Sequence, residues 1–131
     1  MIVLDTHVLI WEALQPERLS ASAREAIIRA NQADGMMLSD ISLWEIAMLM
    51  KKGRLKVETD YLTLANLLLQ ANRIVVQPIT AAIAGLSVQL PDNINQDPAD
   101  RLIAATAIAT GSVLVTADEN LRRAAVLDTL W

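Results

Sequence analysis

Four short apolar runs constrain this chain more than any other feature: residues 1–4, 36–38, 74–79 and 112–115. They are rich in β-branched residues and show no clean alternation with polar ones. Such runs read as strands buried on both faces. Helical patterns fill the gaps, at 20–32, 42–52, 60–72, 80–90, 97–110 and 119–127, and a further helix starts after Asp5. The helix at 42–52 ends in lysines and stops at Gly53. The one at 97–110 opens Asp-Pro, an N-cap followed by proline at the first helical position.

Strands alternating with helices predict a three-layer α/β/α architecture around a parallel sheet of about four strands. At 131 residues and 53% hydrophobic, residues 1–131 are expected to form a single domain with a sizeable core. No repeat, linker or low-complexity segment interrupts it.

In folds of this kind ligands bind beyond the carboxyl ends of the strands. The residues just past the predicted strands are therefore informative. Asp5 follows the first. Ser39 and Asp40 follow the second, with Glu45 one turn into the next helix. Thr80 follows the third. Thr116 and Asp118 follow the fourth, and Asp97 and Asp100 open the helix before it. Asp5, Glu45, Asp100 and Asp118 thus come from four distant segments and can converge on one end of the sheet.

Each also has a local reading. Asp5 can cap a helix starting near His7. Glu45 completes a capping-box pattern with Ser42, and Glu119 completes one with Thr116. Asp100 lies at the third position of a helix capped by Asp97, where an acid favours the helix dipole. Asp118 can start the last helix, and the hydroxyls of Thr6 and Thr116 can cap backbone. Capping does not explain why four acids share one address. Two carboxylates 4 Å apart repel by roughly 4 kcal/mol at an effective dielectric near 20. Four need cations or basic groups. Cysteine is absent and His7 is the single histidine, so thiolate and ordinary zinc sites are excluded. Hard oxygen donors alone select Mg²⁺ or Mn²⁺. Such ions suit phosphoryl chemistry, where they hold a water and offset developing charge.

Four segments, VLDTHVLIW, SLWEIAML, DPADRLIAATA and LVTADENL, occur in this order over nearly the whole chain. Together they resemble PIN-domain ribonucleases, specifically the VapC-type toxins of prokaryotic toxin–antitoxin pairs. The resemblance implies a PIN-like fold and a Mg²⁺- or Mn²⁺-dependent endoribonuclease. It places the family's acidic quartet on Asp5, Glu45, Asp100 and Asp118; beside these, the hydroxyls of Thr6 and Thr116 can hold a water or orient a carboxylate, and Asp97 is a further supporting acid. It also implies a homodimer held inactive by a cognate antitoxin that puts a basic side chain into the acidic pocket. There are two departures. Many similar sequences carry histidine just before the Asp-Pro pair, where Asn95 and Gln96 stand here. Many carry lysine four residues after the helical glutamate, where Leu49 stands.

RNA contacts are less sharply marked. Lys51, Lys52, Arg54 and Lys56 form the densest basic cluster, either phosphate contacts or solvated lysines at a helix end, the second reading favoured. Arg101 either touches RNA or pairs with Asp97, again with the second favoured. Trp11 and Trp44 read first as core or interface residues and second as base-stacking platforms. The leucine-rich stretch 62–69 exceeds what a monomer of this size needs to bury, as a dimer or antitoxin groove would require.

Other classes fit poorly. The net charge of −4 argues against a generic nucleic-acid binder but not against an enzyme with a local basic patch. A receiver domain needs an acceptor Asp after the third strand, and IVVQPIT has none. A haloacid-dehalogenase-type phosphatase needs Asp-x-Asp where Asp5-Thr6-His7 stands. Four scattered glycines make no dinucleotide or phosphate loop. The remaining competitor is a binding module with a vestigial site. The longest apolar stretch, 102–115, is short of a bilayer span, and no secretory signal opens the chain. A soluble, cytoplasmic protein without membrane contact is expected.

Overall fold

All the strands run in one direction. In the computed structural model, which describes residues 1–131, β1 (Ile2–Leu4), β2 (Met36–Ser39), β3 (Ile74–Gln77), β4 (Val113–Val115) and β5 (Thr129–Leu130) form one parallel sheet in the order β3-β2-β1-β4-β5. Val3 lies between Met37 of β2 and Leu114 of β4. The chain adds strands outward on one side of β1 and then crosses to the other. The order therefore reverses between β1 and β4, and a crevice opens beyond their carboxyl ends.

Seven helices cover the two faces: α1 (Thr6–Leu14), α2 (Ala21–Asn31), α3 (Ile41–Lys51), α4 (Tyr61–Ala71), α5 (Ala81–Gln89), α6 (Pro98–Ala109) and α7 (Glu119–Arg123). Successive strand side chains point to opposite faces. Val3, Met37 and Leu114 accordingly enter one core, with Ile83 of α5, Ile103 of α6 and Leu121 of α7. Leu4, Met36, Leu38 and Val115 enter the other, with Val8 and Leu9 of α1, Ile27 of α2, Ile46 of α3 and Leu64 and Leu68 of α4. Each such fully buried aliphatic side chain contributes about 1.5–3 kcal/mol. The three-layer prediction holds. No helix is long and apolar enough to cross a membrane.

Local signals set several boundaries. Asp60 and Thr80 cap α4 and α5 through Thr63 N–H and Ile83 N–H. At the end of α3, Arg54 N–H donates to Leu49 O and Gly53 N–H to Met50 O, with Gly53 at φ +69°. This paired closure needs a left-handed residue, which glycine supplies.

Three expectations are corrected. The sheet has five strands rather than about four. The last helix ends at Arg123, not near residue 127, because Ala124 and Leu127 turn into the core and the chain then runs along β4. Leu114 N–H donates to Asp128 O and Thr116 N–H to Leu130 O. A two-residue strand carries no periodicity of its own, so the β4 edge defines it. Neither proposed capping box forms. Asp40 occupies the N-cap of α3 without a side-chain bond, and Asp118, not Thr116, caps α7.

Candidate active site

The helices that follow or precede the central strands begin at the crevice, which brings their first turns to the carboxyl ends of β1 and β4. Asp5 lies immediately beyond β1. Its N–H donates to Val115 O (3.0 Å), adding one step to the β1–β4 ladder. It is only 3% exposed. Its Oδ1 accepts from Thr6 N–H at 2.8 Å, capping α1. Its Oδ2 accepts from the Thr116 hydroxyl at 2.7 Å, across 111 residues of sequence. Thr116 Oγ1 in turn accepts from Asp118 N–H at 3.0 Å. A buried carboxylate is costly unless hydrogen-bonded, and these donors meet that cost.

Thr6 ties the next acid in. Its Oγ1 is shared between Glu45 Oε1 at 2.5 Å and Ser42 Oγ at 2.8 Å. Glu45 and Ser42 thus turn to the start of α1 rather than to the start of their own helix. Burial raises the pKa of the Glu45 carboxyl; the Thr6 bond opposes this, and the charges of Asp5 and Asp97 add to it.

Asp97 and Asp100 come from the first turn of α6. Asp97 Oδ1 caps the helix, accepting from Ala99 N–H and Asp100 N–H. Ligand-type oxygens of Glu45, Asp97 and Asp100 all lie within 4.8 Å of one another. Asp97 therefore shares this cluster with two acids of the predicted quartet, Glu45 and Asp100. Asp118 caps α7 with Oδ1. Burial pushes the Asp100 carboxyl up to about 7, reinforced by the charges of Asp5, Asp97, Glu45 and Asp118. Asp5, Asp97, Glu45 and Asp118 are thus all near enough to Asp100 to raise its cost of ionisation. None pairs with a lysine or arginine; His7 Nδ1 lies 3.6 Å from Asp5 Oδ2.

Three residues of this centre carried no usable sequence signal. Asn95 holds two acids together: its Nδ2 donates to Asp100 Oδ2 at 3.2 Å and to Asp118 Oδ2 at 3.0 Å. Its backbone N–H is held by Asn120 Oδ1 at 2.8 Å. His7 Nε2 accepts from Ala117 N–H at 3.0 Å, which puts the ring proton on Nδ1, toward Asp5. Ser42 is fully buried beside Thr6. These partners lie 23 to 110 residues apart in sequence for Asn95–Asp118 and His7–Ala117.

The basic residues distribute differently from expectation. Arg101 does not pair with Asp97. Its Nε, Nη1 and Nη2 donate to the carbonyls of Ser87, Leu90, Pro91 and Ile94, fastening the segment that carries Asn95. Lys51, Lys52, Arg54 and Lys56 are exposed around the far end of α3. Lys51 lies six residues from Glu45, about 9 Å along the helix axis. Trp11 packs in the core margin, tilted on His7 with Arg18 over its ring at 3.9 Å. Trp44 is 56% exposed and is not a core residue.

A parallel α/β fold with five acids at its topological switch point is the class of a hard-cation hydrolase site. Residues 2–127 match the model of the PIN domain family, and the chain belongs to that family. It is 40% identical over 121 residues to Ribonuclease VapC22 of Mycobacterium tuberculosis, covering 92% of this chain and 89% of the relative. Among solved structures it is similar to VapBC2 from Rickettsia felis bound to a DNA fragment from their promoter. The TM-score there is 0.74 at 20% identity, over 99% of this chain and 98% of the other. It is also similar to FitAcB from Neisseria gonorrhoeae, with TM-score 0.68 and 23% identity over 100% and 97%. At those identities the structural likeness speaks to the fold.

Proposed function

We propose that this PIN-domain protein is a metal-dependent endoribonuclease and the toxin of a toxin–antitoxin pair. The observation that carries this reading is the convergence of Asp5, Glu45, Asp97, Asp100 and Asp118 with no lysine or arginine paired to them. The likeness to a ribonuclease at 40% identity supplies the substrate class.

An all-oxygen donor set gathered around Asp100, whose pKa the neighbouring acids press upward, fits a hard divalent cation, Mg²⁺ or Mn²⁺. Asp5, Glu45, Asp100 and Asp118 are the assigned ligands and catalytic acids, and Asp97 is close enough to join them. Bound there, the cation supplies the positive charge that offsets the carboxylates, acidifies a water and draws in a phosphodiester. The chain's own residues preorganise that centre. Thr6 N–H and the Thr116 hydroxyl fix both oxygens of Asp5. The Thr6 hydroxyl orients Glu45. The Asn95 amide keeps Asp100 and Asp118 at a set separation. Loading the site requires Asp100 to ionise, so it releases a proton from Asp100 near neutral pH.

A cytoplasmic partner that neutralises the centre with a basic side chain, and a homodimeric state, belong to the same reading. The solved relatives with VapB and FitA partners support the first. Leu62 and Leu67, 69% and 58% exposed on α4, support a further protein contact. The test is Asp5→Asn. The amide oxygen keeps the acceptor for Thr6 N–H and the amide NH2 can donate to the Thr116 hydroxyl oxygen, so circular dichroism should be unchanged, while RNA cleavage and growth inhibition on expression should disappear. Undiminished cleavage by a folded Asp5→Asn protein refutes the assignment.

A further inference from the structure

A cleft of about 430 Å³ lies between α7 and β5, lined by Glu119, Arg122, Arg123, Thr129 and Trp131. Only one of these five residues is apolar. It adjoins the acidic centre by two routes. Asp118 caps the helix that carries both arginines, four and five residues further on, which places them about 6–8 Å along the axis. On the other side, the Trp131 ring lies 6.5 Å from the His7 ring, and His7 Nδ1 lies 3.6 Å from Asp5 Oδ2.

An acidic nuclease centre repels the phosphates flanking the one it cleaves, so those phosphates need cations nearby. Most arginines here have other work. Arg101 is occupied by four carbonyls, Arg29 by Glu25, Arg73 by Ala33 O and Arg18 by the Trp11 ring. Arg122 and Arg123 are exposed and bond to no other side chain. In the cleft two guanidinium groups stand beside the single side-chain carboxylate of Glu119. Trp131 is partly buried and braced edge-on against Trp11 at 5.9 Å, which holds an indole in place at little entropic cost. Guanidinium groups beside a fixed aromatic ring match a nucleotide: phosphate for the first, base for the second. A docking groove for a protein helix would be lined with apolar side chains instead.

We propose that this cleft is a nucleotide subsite, in which Trp131 stacks a base of single-stranded RNA and Arg122 and Arg123 hold a phosphate neighbouring the scissile one. The subsite rests on the nuclease reading above, but its test reads binding rather than cleavage. The probe is a short fluorescein-labelled single-stranded RNA, titrated by anisotropy with the full chain in EDTA over a range of salt. Arg122→Ala/Arg123→Ala is expected to weaken binding about tenfold and to lower the slope of log affinity against log salt by about 0.7, the contribution of the one phosphate the pair holds. Arg122→Lys/Arg123→Lys restores most of the slope. Trp131→Ala costs about tenfold and Trp131→Phe much less, since the smaller ring still stacks. The charge-matched control is Arg29→Ala/Arg73→Ala, at the amino-terminal end of the sheet. It should change neither affinity nor slope appreciably. An unchanged slope in Arg122→Ala/Arg123→Ala overturns the subsite, and so does a control that loses as much. Binding that depends on the cleft while wild-type protein with Mn²⁺ leaves RNA uncut sinks the nuclease reading and keeps the subsite. Asp5-dependent cleavage with binding indifferent to the cleft does the reverse.

Discussion

Replacing Asp100 by asparagine should make the metal-free protein more stable while ending its function. Asp100 stands half-buried among four other carboxylates, and its pKa is raised from 3.8 to about 7. The shift is about three units, which at 1.36 kcal/mol per unit sets a ceiling of about 4 kcal/mol. Solvent still reaches the group and screens it, so about 2 kcal/mol is the working figure. Because the folded pKa is raised, the folded state holds a proton that the unfolded chain has already lost between pH about 4 and 7. For this group stability falls as pH rises through that window and is lowest above it. Asparagine cannot ionise and keeps the oxygen that accepts from Asn95 Nδ2 at 3.2 Å. Its advantage should therefore be full at pH 8, about 5–10 °C in Tm for a chain of this size, and fade toward pH 4. The assay is thermal unfolding in EDTA at several pH values, repeated with Mg²⁺ or Mn²⁺. Added cation should stabilise the wild type and leave Asp100→Asn nearly unmoved. An Asp100→Asn protein that melts at or below the wild type at pH 8 in EDTA would refute the electrostatic account.

Two further perturbations follow from particular bonds. Thr116 is fully buried, and Thr116→Val removes the donor to Asp5 and the acceptor of Asp118 N–H. It should cost about 1–3 kcal/mol in urea unfolding and lower cleavage, with Thr116→Ser recovering most of both. If Thr116→Val unfolds like wild type, the hydroxyl is not holding the acids. Arg101→Lys keeps the charge but cannot reach the carbonyls of Ser87, Leu90, Pro91 and Ile94 together. It should speed limited proteolysis within residues 90–97 and loosen Asn95; unaltered proteolysis would contradict the fastening role.

The convergence of the acids was legible because it depends on two local facts. A short β-branched run marks a strand, and an acid just past it lies at the strand's carboxyl end. Asp5 beyond β1, Asp118 beyond β4 and the Asp-Pro opening of α6 follow that logic. Their capping and site geometries also turn out to coexist. Asp5 and Asp118 each give Oδ1 to a helix N-terminus and turn Oδ2 toward the crevice. For these two acids, capping and membership of the cluster were never competing explanations.

Other features are invisible to a reading by neighbours in sequence. Glu45 and Ser42 look like a capping box, yet Thr6, 39 residues from Glu45, claims them both. Arg101 looks paired to the acids before it, yet its planar fork matches four carbonyls that only the fold of 87–94 gathers. Asn95 looks like a mere departure from a histidine pattern until α6 and α7 bring Asp100 and Asp118 to its amide. β5 exists because the β4 edge offers it partners. The sequence by itself thus determined β1 to β4, most helix starts and which end of the sheet becomes acidic, since these rest on contacts within a few residues and on burial periodicity. Tertiary structure alone decided which donor holds each carboxylate and how burial and the neighbouring acids raise the pKa of Glu45 and Asp100. Hydrogen bonds and Coulomb terms act over a few ångströms, and only packing sets distances that short between residues so far apart along the chain.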